Sequence, residues 1–164
     1  CMKNSLDFFF KKNKEWILEK WLDRRLSLFS NQKQSLIKTQ MNQFQNPIRH
    51  EIQGGLKMIL ENLEEKNDKF NEAVEQICRV MAIQEFPPSK AISFFYELKE
   101  IVHDKVKKTE HLLTSEEFVK FNSDIEKMTF RAFDCYCKHR EKIYQLKVDE
   151  SKNKTYMLIK KAGL

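Results

Sequence analysis

Apolar residues recur along this chain at steps of three and four, the spacing that places them on one face of a helix. Leu6, Phe9, Phe10, Ile17, Trp21, Leu22 and Leu28 predict a first helix from about Ser5 to Phe29, with Ser30-Asn31 as a stop and restart. A shorter helix is expected from about Lys33 to Gln43. Asn46-Pro47 then predicts a break, with Pro47 in the first turn of a new helix and Asn46 as its cap. Ile48, Ile52, Leu56, Ile59, Leu60 and Leu63 stripe that helix, and Gly54-Gly55 interrupts it. Two glycines in a helix interior cost about 1 kcal/mol each relative to Ala, so a close helix crossing is the expected reason for them. Glu64 to Lys69 reads as a charged connection.

Phe70, Val74, Ile77, Met81 and Gln84 mark the next helix. It should end at Phe86, because a residue preceding proline avoids the helical region. After Pro87-Pro88, Ser89 is placed to cap a helix buried through Ile92, Phe95, Leu98, Val102 and Val106. Phe44, Phe86, Phe94 and Phe95 are the expected core of the middle helices, with Pro87-Pro88 fixing the corner. Thr114-Ser115-Glu116-Glu117 matches a capping box. The stripe Phe118, Phe121, Ile125, Met128, Ala132, Cys135, His139, Lys142 and Leu146 follows. About 33 residues at 1.5 Å each make a helix of roughly 50 Å. A domain of this size is roughly 30–35 Å across. Part of the helix should therefore project or pair with a second copy of the chain. Asn153 to Leu164 reads as a tail.

Composition agrees with this pattern. Only three Gly and three Pro occur in 164 residues, too few for the many turns of a sandwich or barrel. The expected fold is all-α, a bundle of about six helices in one domain over 1–164, with 1–4 and 152–164 as peripheral tails. No apolar run is long enough to span a bilayer. The stretch Leu6 to Phe10 is too short for a signal peptide and runs into Lys11-Lys12, so a cytoplasmic location is expected. Cys1 precedes Met2, the expected natural start, and reads as foreign to the chain. Cys78, Cys135 and Cys137 then remain, an odd number that fits reduced thiols. Cys135 and Cys137 point about 200° apart on a helix, which does not suit a shared metal or a bridge.

The net charge of +6 is unevenly spread. Residues 1–50 carry ten Lys/Arg against four acids, residues 51–100 six against ten, and residues 101–164 fourteen against ten. The excess lies at the two ends without the dense basic stripe of a nucleic-acid module, so solvated helix faces are the plainer reading. No nucleophile–base pair, Gly-rich phosphate loop or HExxH motif occurs. His103-Asp104, His139-Arg140-Glu141 and His50-Glu51 are chain neighbours, which do not face each other on a helix. The chain is therefore not expected to be an enzyme.

Three segments carry a resemblance. They are Phe44-Gln45-Asn46-Pro47, the run from Ala82 to Ala91, and Ala132-Phe133-Asp134-Cys135-Tyr136 with Arg140-Glu141-Lys142-Ile143-Tyr144. In order and spacing, from about Trp16 to Glu150, the chain resembles the N-terminal domain of the RsbR and RsbRD co-antagonists, the sensory end of bacterial stressosome proteins. The resemblance implies a globin-like helical domain without haem that dimerises and precedes an output domain, commonly a STAS domain. It implies a structural or signalling motif at Asn46, Pro47, Arg79, Gln84, Pro87, Pro88, Ser89, Asp134 and Arg140. Arg79, Gln84 and Asp134 are expected to form a buried polar network, since buried polar groups must be paired. The sequence stops at Leu164 with no output domain following, so control of a kinase component is not carried over directly.

The expected function is a non-catalytic, dimeric sensory or regulatory module of bacterial stress signalling. A STAS or kinase component is the expected protein partner, and neither membrane nor nucleic acid is. The dimer interface is expected at Cys135, His139, Ile143 and Leu146, with His139 a source of pH sensitivity. No cofactor or metal is expected. A globin-like fold raises haem, but Phe70 to Glu85, at the place of the proximal helix, holds no histidine. Cys78 and Met81 are there and read as core residues. A haem or small-ligand sensor and a nucleic-acid-binding helical protein stay open as alternative readings.

Overall fold

In the computed structural model, residues 5–32, 41–108 and 113–164 are described, and side chains from 5–29, 47–108 and 113–164. Among the described residues the chain forms six helices and no strand: α1 (Ser5–Gln32), α2 (Met41–Glu61), α3 (Asp68–Ile83), α4 (Pro88–Ile92), α5 (Phe94–Lys108) and α6 (Ser115–Lys161). Five of them close into a ring. α1 packs on α2, α2 on α3, α3 on α6, α6 on α5, and α5 returns to α1. The short α4 plugs one corner, against α3, α5 and α6. Inside lie Ile17, Trp21, Ile52, Leu56, Ile59, Phe70, Ile77, Met81, Phe94, Phe95 and Leu98, all buried. Phe94 and Phe95 sit with ring centres 4.5 Å apart, and Phe95 stacks on Phe70 at 6.2 Å.

Local chemistry sets the ends of these helices. The expected capping box is present: Thr114 Oγ1 accepts from Glu117 N–H at 3.2 Å, and the Glu117 carboxylate accepts from Thr114 N–H at 2.9 Å. The same carboxylate accepts from Ser5 N–H at 3.0 Å and from Ser5 Oγ at 2.5 Å. One anion thus serves the donor-rich N-termini of two helices, where negative charge is favoured. Hydrogen bonds from Ser5, then from Thr114, lower the Glu117 pKa. At its start, α3 is capped by Asn67, whose side chain accepts from Phe70 N–H at 3.1 Å. It ends at Ile83; beyond it Glu85 stands at φ 57°, and the N–H groups of Glu85 and Phe86 return to the Ala82 and Met81 carbonyls, both at 3.1 Å. This crossed pair of bonds satisfies carbonyls that the helix end would otherwise orphan. Phe86 is then turned inward and buried, as expected of it.

The Gly54-Gly55 pair resolves into two unlike positions. A Cβ on Gly55 would lie 2.7 Å from Ile77 Cδ1, with the Ala73 carbonyl oxygen at 3.5 Å. Gly55 is therefore the crossing point of α2 on α3. Gly54 is exposed and meets nothing nearer than Gln76 Nε2 at 4.0 Å.

Several expectations are corrected. Asn46-Pro47 is not a break: α2 runs through it from Met41, with Pro47 inside the helix and exposed. Pro47 forfeits one bond, to the carbonyl of Gln43, and the helix continues on the burial of Ile52, Leu56 and Ile59. Of the helix expected over Lys33 to Gln43, residues 41–43 belong to α2 and the rest lies outside the described residues, as do the side chains of Phe44 and Asn46. Ser89 does not cap α4; Pro87 takes the cap position, and Ser89 is exposed one residue into the helix. The helix after Pro88 is divided at Ser93 into α4 and α5. The expected tail is helical through Lys161, so α6 is 47 residues long, roughly 70 Å.

One buried charge closes the corner between α4 and α5. Arg25 of α1 is fully buried. Its Nη1 donates to the carbonyls of Lys90 at 2.8 Å and Ala91 at 3.3 Å, in the last turn of α4. Nη2 donates to Ser93 Oγ at 2.7 Å and to Glu97 Oε1, and Nε to Glu97 Oε2 at 2.9 Å. All five N–H groups of the guanidinium are thereby used. One turn earlier, Trp21 Nε1 donates to the Phe94 carbonyl at 2.7 Å.

Two mutational tests follow from this packing. Gly54→Ala should stabilise by about 1 kcal/mol through helix propensity. Gly55→Ala should destabilise by about 1–3 kcal/mol in urea melts, because Ile77 has nowhere to move. Arg25→Met should cost about 3–5 kcal/mol by leaving Glu97 unpaired, and adding Glu97→Gln should recover part of that loss. Equal stability of the two glycine variants, or of Arg25→Met and wild type, contradicts the packing described.

Candidate functional site

Two of the three segments that carry the resemblance, the run from Ala82 to Ala91 and that from Ala132 to Tyr144, meet where α6 crosses the end of α3. Tyr136, buried on α6, donates through its hydroxyl to the Phe86 carbonyl. One turn on, Arg140 Nη1 donates to the Ala82 carbonyl at 2.9 Å. Its Nη2 donates to Tyr144 Oη at 2.8 Å, and the guanidinium lies 4.7 Å from that ring's centre. Two turns on, Lys147 Nζ reaches Glu85 at 2.8 Å across an exposed gap. Cations beside the C-terminal carbonyls of α3 complement its dipole. α6 thus grips the Pro87-Pro88 corner and then leaves the domain.

Only some of the residues expected at this motif are brought together. Arg140 joins the corner. Pro87 and Pro88 form it from the outside, both exposed. Gln84 is the half-buried C-cap of α3, and Ser89 is exposed beyond the corner. The expected buried network of Arg79, Gln84 and Asp134 does not exist, because Arg79 and Asp134 are exposed. Buried Ile77, Cys78, Met81 and Ala82 face inward on α3, and Arg79 falls outside that arc. The buried polar group is instead Arg25. It sits in the charged run Asp23-Arg24-Arg25, where nothing local separates it from the half-exposed Arg24. Its position four residues after Trp21 was the available signal.

The expected dimer stripe is also divided. Cys135 is buried in the chain's own core, one turn beyond Ala132, whose carbonyl lies 3.4 Å from Cys78 Sγ. It is therefore not part of an unpaired stripe in water. Ile143 is half-buried and packs on the core, and His139 is half-buried. Leu146 is exposed. From Tyr144 to Leu164 every residue is exposed, including Leu146, Val148, Tyr156, Met157, Leu158 and Ile159. Leu146, Asn153, Met157 and Leu158 line one shallow groove along this projecting part.

The axial-ligand candidates have other surroundings. Met81 is fully buried, and the Cys78 thiol is directed at α6. His50 is exposed, and His103 hydrogen-bonds Asn122 at 3.2 Å beside the Phe118 ring. His111 lies outside the described residues. Among the described residues no group of three or more His, Cys, Asp or Glu side chains could hold a metal ion. Among them, too, no helix is long and apolar enough to cross a membrane.

The class of protein defined so far is an all-α ring with a long helix projecting from it. No family model matches the chain, and no solved structure matches it. It is similar to an uncharacterized protein of Archaeoglobus fulgidus, with 33% identity over 98 residues, 59% of this chain and 62% of that one.

His139 gives the base of the projecting helix a pH dependence. Burial lowers its pKa, opposed by Glu75 and aided by Lys142, Arg79 and Lys138. Between the lowered value and 6.5 the unfolded chain binds more protons than the folded one, so stability rises with pH there. His139 thus contributes fully above pH 6.5, and its contribution falls away as the pH drops toward the lowered value. Melting temperature should decline over that range, and His139→Gln should flatten the decline. The Glu117 contribution is lost only at lower pH, below 4.5. An unchanged slope in His139→Gln contradicts the assignment.

Proposed function

We propose that this chain is a non-catalytic regulatory module of the RsbR co-antagonist kind, working as a homodimer through the projecting part of α6. The observation that carries the reading is the set of apolar side chains beyond the domain. From Tyr144 to Lys161 the helix runs for about 27 Å with every residue exposed, and Lys147 ties its first turn to Glu85. Along it Leu146, Met157 and Leu158 are each more than half exposed. Two such helices side by side would cover both stripes, as helix pairing requires.

The grip of Tyr136, Arg140 and Lys147 on the α3 corner supports a transmitting role. A shift or rotation of α6 in the pair would pull on the Phe86 and Ala82 carbonyls, and a change at the corner would move the helix. The regulatory partner in this reading is a protein, a STAS or kinase component, bound in the cytoplasm of a bacterium. The expected seam moves outward from the stripe first assigned to it: Leu146 remains, Cys135 leaves, and Met157 and Leu158 enter.

Analytical ultracentrifugation at micromolar concentration tests this. The wild-type chain should sediment as a dimer, and Leu146→Glu/Met157→Glu/Leu158→Glu as a folded monomer with an unchanged helical spectrum. A monomeric wild type overturns the dimer. A dimeric triple variant places the interface elsewhere on the chain.

A further inference from the structure

Cys78 of α3 and Cys135 of α6 are both buried where their two helices pack together. Cys78 is fully buried, and its Sγ lies 3.4 Å from the carbonyl of Ala132, one turn before Cys135. Cys135, three residues further along α6, is buried at 9% exposure. That exposure opens into a surface hollow of about 390 Å³, lined among others by Asn71, Val74, Glu75, Arg131 and Lys138. In the same hollow, Asn71 Oδ1 is buried with no hydrogen-bond partner. An acceptor left unpaired in this way costs free energy unless a donor reaches it. Two thiols, Cys135 and Cys137, thus line the hollow, Cys78 is sealed within the core, and Asn71, whose buried Oδ1 has no partner among the described residues, belongs to the same lining.

We propose that Cys135 is a hydroperoxide-reactive thiol and that Cys78 resolves it, closing a disulfide between α3 and α6. A hydroperoxide suits the hollow chemically: it is small, and it brings the O–H donor that Asn71 Oδ1 lacks among the described residues. The Cys135 thiolate attacks one peroxide oxygen, and the O–O bond breaks. The departing oxygen takes a proton and leaves as water or an alcohol, and Cys135 becomes a sulfenic acid. Cys78 then gives up its proton as its sulfur attacks the Cys135 sulfur. The S–O bond breaks, and the hydroxyl leaves with that proton as water. Two thiols lose two electrons in all, and one hydroperoxide gains them.

The order of attack follows from the surroundings. The hydrogen bond from Cys78 lowers the Cys135 pKa, and Lys138 and Arg131 add to this against burial and Glu75. Cys78 is pushed up, first by holding its proton toward Cys135 and then by burial. The nucleophile is therefore the outer sulfur, as site-selective oxidation requires. The Cys78 proton has two alternative acceptors: the Ala132 carbonyl while Cys135 is a thiol, and the Cys135 sulfur once it is a thiolate. The bridge would pin α6 to α3 just below the grip of Tyr136 and Arg140, at the root of the projecting helix. None of this depends on how that helix is partnered.

The full chain treated with one equivalent of hydrogen peroxide, alkylated and digested without reductant, tests the pair. The expected result is a Cys78–Cys135 linked peptide about 2 Da lighter than the two reduced peptides together. In Cys78→Ser, dimedone present during oxidation should label Cys135 about tenfold more than the half-buried Cys137. Retention of both thiols in the full chain while Cys1 or Cys137 oxidises overturns the proposal. So does a Cys135–Cys137 bridge, or preferential labelling of Cys137.

Discussion

The buried guanidinium of Arg25 is the constraint on which the arrangement of α1, α4 and α5 depends. A charge taken out of water is tolerated only where every polar hydrogen finds an acceptor. Here the acceptors come from three places at once: the last carbonyls of α4, Ser93 in the joint, and Glu97 in the first turn of α5. No other placement of the corner satisfies all of them. Hydrophobic contacts around it, Trp21 and Phe94 among them, tolerate small slides; the forked hydrogen bonds do not. Such a pair contributes little net stability over an apolar replacement, and its effect is to fix geometry.

The opposite side of the ring is fixed by absence of volume. At Gly55 the backbone of α2 meets Ile77 of α3 with no room for a Cβ. α3 is thereby held between α2 and α6. Its end is closed by the backbone turn at Glu85 and Phe86 and by the side chains of Tyr136 and Arg140. The corner at Pro87-Pro88 is stiff for that reason, and α6 emerges from a rigid base. The projecting helix is thus continuous with a segment of α6 that is itself packed on α3, α4 and α5.

Much of the site was legible in the sequence, and the illegible part has a common cause. Phe86, Phe94 and Phe95 could be placed in the core from their spacing, whereas the contact of Arg140 with the end of α3 could not. Arg79 and Asp134 were misplaced because adjacency to buried residues says nothing about facing. One step along a helix turns a side chain by about 100°. Cys135 was read as a stripe residue facing water. It carries the same spacing whether its face meets a second chain or α3 of its own, and only the position of α3 decides between them.

The sequence by itself determined the all-α class, the capping box at Thr114, the turn before Pro87-Pro88, the glycine crossing and a last helix longer than its domain. These follow from local rules: periodicity, the missing N–H of proline, side-chain caps and a fixed rise per residue. The continuation of α2 through Pro47 was decided by tertiary structure, because burial further along the helix outweighs one lost hydrogen bond. So were the burial of Arg25, the contact of Cys78 with the Ala132 carbonyl and the burial of Asn71 Oδ1 without a partner among the described residues. Each of these is a relation between residues far apart in the chain. Its energy exists only once the ring has closed, and no local pattern carries it.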